Sequence, residues 1–257
     1  MSSGTGATAT TTTSTTAHPN SKSKPRILMF HGGGVSASIF TIQTRKVLWK
    51  LRPYFEFVFL DAPWVSPPGP GVLPVFADAG PFYRWARLHE NEDANKLKDK
   101  LSAVLSKPGG EWVGVLGFSQ GGRLAAGLCW QQQHGPDGLD MLAPGLEFKF
   151  AALVGAAWPL LLTVQDAPMA GQRESSKWDE KYEASISMPS VHCIGKRDAV
   201  AEMARLMARC FDKEQAKMLE PNIGHQMPLD DRENSELCDA ILEAYKKGGG
   251  VLEEFPA

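Results

Sequence analysis

The sequence predicts an α/β fold, a mostly parallel sheet of about six strands with helices on both faces. Three observations predict it. Short apolar runs of β type alternate with longer helical runs, and strands joined by crossover helices lie parallel under cover on both sides. One such run, Trp112 to Phe118, ends in Gly117-Phe118-Ser119-Gln120-Gly121-Gly122 and passes at once into the helix start Arg123-Leu124-Ala125-Ala126. A chain of 257 residues with 43% hydrophobic content is also large enough to bury a full core as one domain.

The elements follow in order. Arg26-Ile27-Leu28-Met29-Phe30 is an apolar strand closed by His31-Gly32-Gly33-Gly34, and 37–51 is a helical run. Strand 55–60 ends at Asp61. The long segment Ala62 to Leu88 is read as irregular, rich in proline and aromatic residues. Helix 91–105, strand 112–118, helix 120–133 and strand 150–155 follow. A second irregular segment, Trp158 to Met188, leads to strand 190–194, helix 199–211, strand 216–219 and helix 233–247. Irregular segments of that length in a compact domain are usually lids or disordered, and their aromatic content argues against disorder. Both leave strand C-terminal ends, so Trp64, Phe82, Trp85, Trp158 and Trp178 are expected to wall a site there, although packing over the sheet edge also accounts for such residues. An apolar wall suits an acyl chain or a polyketide better than a sugar or peptide.

The Gly-x-Ser-x-Gly run is the chemical centre of the chain. A serine between strand and helix must occupy a turn too sharp for ordinary neighbours, with glycines where side chains would strike the adjacent strand and helix. The turn lifts the hydroxyl out of the sheet and leaves the Gln120 N–H free for an oxyanion. A serine needs a base, and the base needs an orienting acid, in the chain order Ser, acid, His. Gly195-Lys196-Arg197-Asp198 and Pro221-Asn222-Ile223-Gly224-His225 each follow a strand. Ser119, Asp198 and His225 therefore fall on one edge of a parallel sheet, where sites form. Taken singly, Asp198 reads equally well as a helix N-cap, and His225 reads better as a surface loop histidine. Asp61 precedes the serine and reads as structural or as a pocket edge; Asp166 and Asp179 lie in irregular chain. The second oxyanion donor is expected from the glycine loop, at Gly33, with Gly34 or Val35 as alternatives, and His31 is expected to organise that loop. The loop carries neither Gly-Lys-Ser/Thr nor Gly-x-Gly-x-x-Gly, which disfavours nucleotide binding.

Charge and composition exclude other classes. A net charge of −2 leaves no footprint for nucleic acid or an anionic membrane. No apolar run reaches the roughly 18 residues of a membrane span. Residues 1–25, rich in Ser, Thr and Ala, are expected to be disordered, with the folded domain over 26–257. They carry no signal-peptide core. Cys129, Cys193, Cys210 and Cys238 lie in apolar runs without zinc-like spacing, which suits buried free thiols in a reducing, cytoplasmic compartment. No metal or cofactor is implied.

Five blocks occur together: Leu28-Met29-Phe30-His31-Gly32, Phe59-Leu60-Asp61-Ala62-Pro63, Gly117-Phe118-Ser119-Gln120-Gly121, Ile194-Gly195-Lys196-Arg197-Asp198 and Gly224-His225. In this order they resemble the fungal serine hydrolase family, over roughly Arg26 to Lys247. The resemblance implies an α/β-hydrolase fold and esterase or thioesterase chemistry, with Ser119, Asp198 and His225 at the triad positions. With the Pro81-Phe82-Tyr83-Arg84-Trp85 block, the chain is most similar to stand-alone polyketide-release thioesterases. That implies an acyl or polyketide substrate and, as partner, an acyl carrier protein domain of a polyketide synthase. The rival readings are a general carboxylesterase and a ligand-binding protein on a hydrolase fold.

Overall fold

The computed structural model describes residues 1, 23–86, 93, 95–135, 142, 146–161 and 178–255. Most of the 1–25 segment, the middle of the second irregular segment with Asp166, and the first residues of the 91–105 helix lie outside the described residues.

In chain order the elements are β1 (Arg26–Phe30), α1 (Ala37–Gln43), α2 (Arg45–Leu51), β2 (Glu56–Leu60), β3 (Trp64–Ser66), β4 (Phe82–Arg84), α3 (Asn95–Leu105), β5 (Trp112–Phe118), α4 (Gln120–His134), β6 (Phe150–Val154), β7 (Ser190–Cys193), α5 (Ala201–Arg209), β8 (Ala216–Leu219) and α6 (Asp231–Lys247). Six strands form one sheet in the order β2-β1-β5-β6-β7-β8, and every pairing is parallel. Successive side chains of a strand point to opposite faces, and the two cores follow from that. Leu28 and Phe30 face a core completed by α3, α4 and α5. Ile27 and Met29 face a second core completed by α1, α2 and α6. All four cysteines are buried and free. Among the described residues, no helix is long and apolar enough to cross a membrane.

Two features differ from the sequence reading. The single helix expected over 37–51 is two helices meeting at Thr44. The Thr44 hydroxyl donates to the Phe40 carbonyl at 2.7 Å, and a threonine bonding back one turn competes with the helix ladder. The irregular segment after β2 contains an antiparallel ribbon, β3 with β4, in which Val65 lies opposite Tyr83. Three-residue strands leave too short a pattern for alternation to be seen.

The strand order places the site. The chain steps outward from β1 to β2, returns across β1 to β5, then proceeds through β6, β7 and β8. The reversal leaves a crevice past the C-terminal ends of β1 and β5, the switch point where ligands bind in open α/β sheets. Register aligns the rest of the edge: Phe118 lies level with Val154, Val154 with Cys193, and Cys193 with Leu219.

Candidate active site

Ser119 stands at the switch point, between β5 and α4, with φ 53° and ψ −120°. A left-handed φ costs a residue with a Cβ about 1–2 kcal/mol. Neighbouring backbone holds it there: the Ser119 N–H donates to Val154 O (2.9 Å), and the Ser119 carbonyl accepts from Gly122 and Arg123 (3.0 and 3.1 Å). Close packing explains the flanking glycines. A Cβ on Gly117 would lie 2.4 Å from Gly121 O, and one on Gly121 would lie 2.3 Å from Phe30 O and 2.5 Å from His31 O.

Three side chains form a line. Ser119 Oγ lies 2.8 Å from His225 Nε2, and His225 Nδ1 lies 2.7 Å from Asp198 Oδ2. A carboxylate oxygen accepts, so Nδ1 carries the proton and Nε2 is left to accept from the serine hydroxyl. The Asp198 side chain is 1% exposed and that of His225 36%, so the acid is sealed while the ring reaches the surface. The His225 ring packs on Phe118, with centroids 5.1 Å apart. Asp198 is not the N-cap of α5, which begins at Ala201 with Val200 as its cap, but it shapes the turn that leads there. Its other oxygen, Oδ1, accepts from the Val200 N–H at 2.9 Å, leading into α5.

The loops bearing Asp198 and His225 are bound to each other. Lys196 N–H donates to Pro221 O and Arg197 N–H to Ile223 O, both at 2.9 Å. The Arg197 guanidinium adds Nε and Nη2 bonds to Asn222 O, at 3.0 and 2.7 Å. The sequence shows Arg197 only as a cation next to the acid, and its partner 25 residues away has no local signal.

The glycine loop approaches from β1. A Cβ on Gly32 would lie 3.6 Å from Ser119 Cβ, and one on Gly33 would lie 3.2 Å from Gln120 Oε1. Gly34 N–H donates to Tyr83 O at 2.8 Å, which removes it from the possible oxyanion donors. Gln120 occupies the first position of α4, where backbone N–H groups have no partner within the helix. Its side chain has its own task, since Oε1 accepts the Trp85 N–H at 2.7 Å and ties the ribbon to the serine turn. His31 is wholly buried and organises the loop. Its Nε2 accepts from Ala62 N–H (3.0 Å), so Nδ1 bears the proton and donates to Gly32 O (2.7 Å). Burial pushes this imidazole down to about 4, and it stays neutral. Asp61 accepts the Ala37 N–H at 2.7 Å and steadies the start of α1, while the His225 ring bonds Asp198. Asp179 caps the 3₁₀ turn Glu180–Tyr182.

The expected aromatic wall needs correction. Trp85 is 0% exposed, packs edge-on against Phe30 at 5.1 Å, and donates its indole N–H to His31 O at 2.7 Å. It supports the glycine loop from beneath and offers no surface to a substrate. Trp64 and Trp158 are also core residues, and Phe82 sits with Val35, Ile39 and Val72 in a small cluster under the ribbon. Trp178 is half-buried, 5.0 Å from Trp158, with the Arg209 guanidinium over its ring at 4.5 Å. Aromatic content is visible along the chain, but burial in the closed fold decides how much of each ring is left to the site.

A parallel sheet with a serine on a strained strand–helix turn, hydrogen-bonded to a histidine and through it to a buried carboxylate, defines an α/β-hydrolase. Comparison with known proteins agrees and adds the family. Residues 20–237 match the family model "Serine hydrolase (FSH1)", and the chain belongs to that family. It is similar to Probable esterase azaC of Aspergillus niger (35% identical, covering 89% of this chain and 88% of that one). It is similar to Thioesterase FSL2 of Gibberella zeae (30%, 86% and 92%). It is also similar to the dihydromonacolin L-[lovastatin nonaketide synthase] thioesterase of Aspergillus terreus (33%, 87% and 93%). Among solved structures, Zea mays acyl-protein thioesterase 2 superposes with a TM-score of 0.53 at 20% identity, covering 89% of this chain and 97% of that one. Esterase PE8 does so with a TM-score of 0.52 at 17%, covering 87% and 94%. The chain is thus a serine hydrolase acting on esters or thioesters, and the reading as a ligand-binding protein without chemistry is set aside.

Proposed function

We propose that this hydrolase cleaves acyl thioesters through an acyl-enzyme and releases a polyketide or fatty acyl chain from a carrier protein, in the cytoplasm. The observation that carries the chemistry is the line from Ser119 Oγ through His225 to Asp198 Oδ2, at 2.8 and 2.7 Å. Ser119 Oγ attacks the acyl carbonyl as its proton passes to His225 Nε2. The carbonyl oxygen gathers charge against the N–H groups of Gln120 and Gly33, each such donor worth about 3 kcal/mol in the transition state. The C–S bond breaks, and the leaving sulfur takes the proton from Nε2. Water then attacks the acyl-enzyme, gives a proton to Nε2, and the Ser119 oxygen departs with it. Asp198 holds the imidazole tautomer and balances its positive charge throughout.

Likeness to two relatives named thioesterases, one for a polyketide synthase product, supports the thioester and carrier reading. The relative named azaC, a probable esterase, supports a second reading, cleavage of small oxygen esters by the same site. The test has two arms. Ser119→Ala should lower turnover of acyl N-acetylcysteamine thioesters by several decades while the fold persists; near-native turnover would remove Ser119 from the role. The specificity constant of the unaltered enzyme should rise with acyl length from acetyl upward, and rise again when the acyl group is loaded on a carrier protein. A gain with length but none from the carrier would favour the small-molecule esterase. A flat profile would mean that the segments after β2 and β6 line no acyl site.

A further inference from the structure

Gly155 follows β6, the strand between the one that delivers Ser119 and the one that leads to Asp198. Two independent features set it apart. Its φ is +56°, in the region that side-chain-bearing residues avoid. A Cβ at this position would lie 3.2 Å from both Cε1 and Nδ1 of His225 and 3.5 Å from Asp198 Oδ2. Its N–H donates to Cys193 O at 2.9 Å, which pins the backbone to the end of β7 and leaves it little freedom to retreat. A methyl carbon and a ring atom rest about 3.5–4.0 Å apart, so an added methyl would displace the imidazole by a few tenths of an ångström. The ring is held at opposite ends by Asp198 and Ser119 at 2.7 and 2.8 Å, so that displacement lengthens one bond or both.

We infer that Gly155 is a positioning residue that sets the seat of the His225 imidazole. The missing side chain lets the ring lie flush over the end of β6, in line with both the nucleophile and the acid. The inference rests on the triad reading given above. Backbone shape alone is a separate matter: Gly249, after α6, has a similar φ of +82° but nothing within 4 Å of its Cβ position among the described residues.

Gly155→Ala, Gly249→Ala, Ser119→Ala and the unaltered protein are compared on p-nitrophenyl butyrate and in the rate of fluorophosphonate labelling, beside thermal melts. Gly155→Ala should lower kcat about tenfold or more with KM within about twofold, because misplacing a reacting group costs rate rather than binding. Labelling should slow by a similar factor. Gly249→Ala should lose some melting temperature and keep kcat. Asparagine tolerates left-handed φ, so Gly155→Asn supplies the same Cβ with less backbone strain and serves if the alanine variant does not fold. Unchanged kcat and labelling in either Gly155 variant overturns the inference, as does an equal loss of kcat in Gly249→Ala. Should Ser119→Ala stay active, the triad reading fails first, which is a different result from active Gly155→Ala beside inactive Ser119→Ala.

Discussion

Asp198 divides its two oxygens between two tasks, and this division answers the ambiguity that its sequence position leaves. Oδ1 takes the Val200 N–H and shapes the turn; Oδ2 takes the His225 ring. An asparagine at 198 has one acceptor and an NH₂ group, so it can keep the turn only by facing the imidazole with a donor, which favours the wrong tautomer. Asp198→Asn should therefore lower kcat by roughly 10⁴-fold with little loss of stability. Asp61→Asn keeps an oxygen for the Ala37 N–H and should leave turnover within about threefold. Steady-state kinetics on one ester decide the matter; an inactive Asp61→Asn beside a competent Asp198→Asn would reverse the roles.

At the scale of elements, the unit that matters is β5, the serine turn and α4, pressed against the end of β1. Gly121 makes the contact. The Phe30 and His31 carbonyl oxygens lie within 2.5 Å of where its Cβ would be, and both are backbone, which cannot swing aside as a side chain could. Gly121→Ala should force α4 off β1, costing about 1–3 kcal/mol as an overpacked core does. Its melting temperature should fall by several degrees, and turnover should fall with it because the serine turn moves. A variant with unaltered melting and kinetics would show that α4 has slack here. The ribbon is the second such unit. Tyr83 O holds Gly34 N–H, Tyr83 N–H bonds Val35 O, and Trp85 N–H bonds the Gln120 side chain. A segment that looks like a loose lid in sequence is in fact the scaffold of the glycine loop.

At the scale of the whole molecule, two histidines among the described residues, His31 and His192, are buried and neutral, and they tie its stability to pH. Burial pushes His31 down to about 4 and His192, which bonds Ser190 at 3.1 Å, down to about 3, from 6.5. Below pH 6.5 the unfolded chain takes up protons that the folded chain refuses. Stability is therefore fully present above 6.5 and is lost as pH falls toward 4, at up to about 1.4 kcal/mol per pH unit for each histidine. Urea denaturation at pH 7.5, 6.5, 5.5 and 4.5 should show a plateau followed by a decline; a level curve down to 4.5 would rule out both histidines as the source. A chain beginning at Ser23 should melt within a few degrees of full length, since residues 1–22 hold no apolar cluster to contribute to a core. A large drop would mean that the segment docks on the domain.

The sequence by itself determined the six strands of the main sheet, most of the helices between them and the strand-end positions of Ser119, Asp198 and His225. These follow from apolar runs, turn residues and chain order, which are properties of neighbours along the chain. Tertiary structure alone decided the rest. It chose which Asp198 oxygen faces His225, committed Gly34 N–H to Tyr83, and drew Trp85 wholly into the core beneath His31. It also joined Arg197 to Asn222 and brought Gly155 against the His225 ring. A local pattern states that a group is apolar, or that it must find a hydrogen bond. Which partner it finds depends on how distant segments close on one another, and no neighbour in sequence records that.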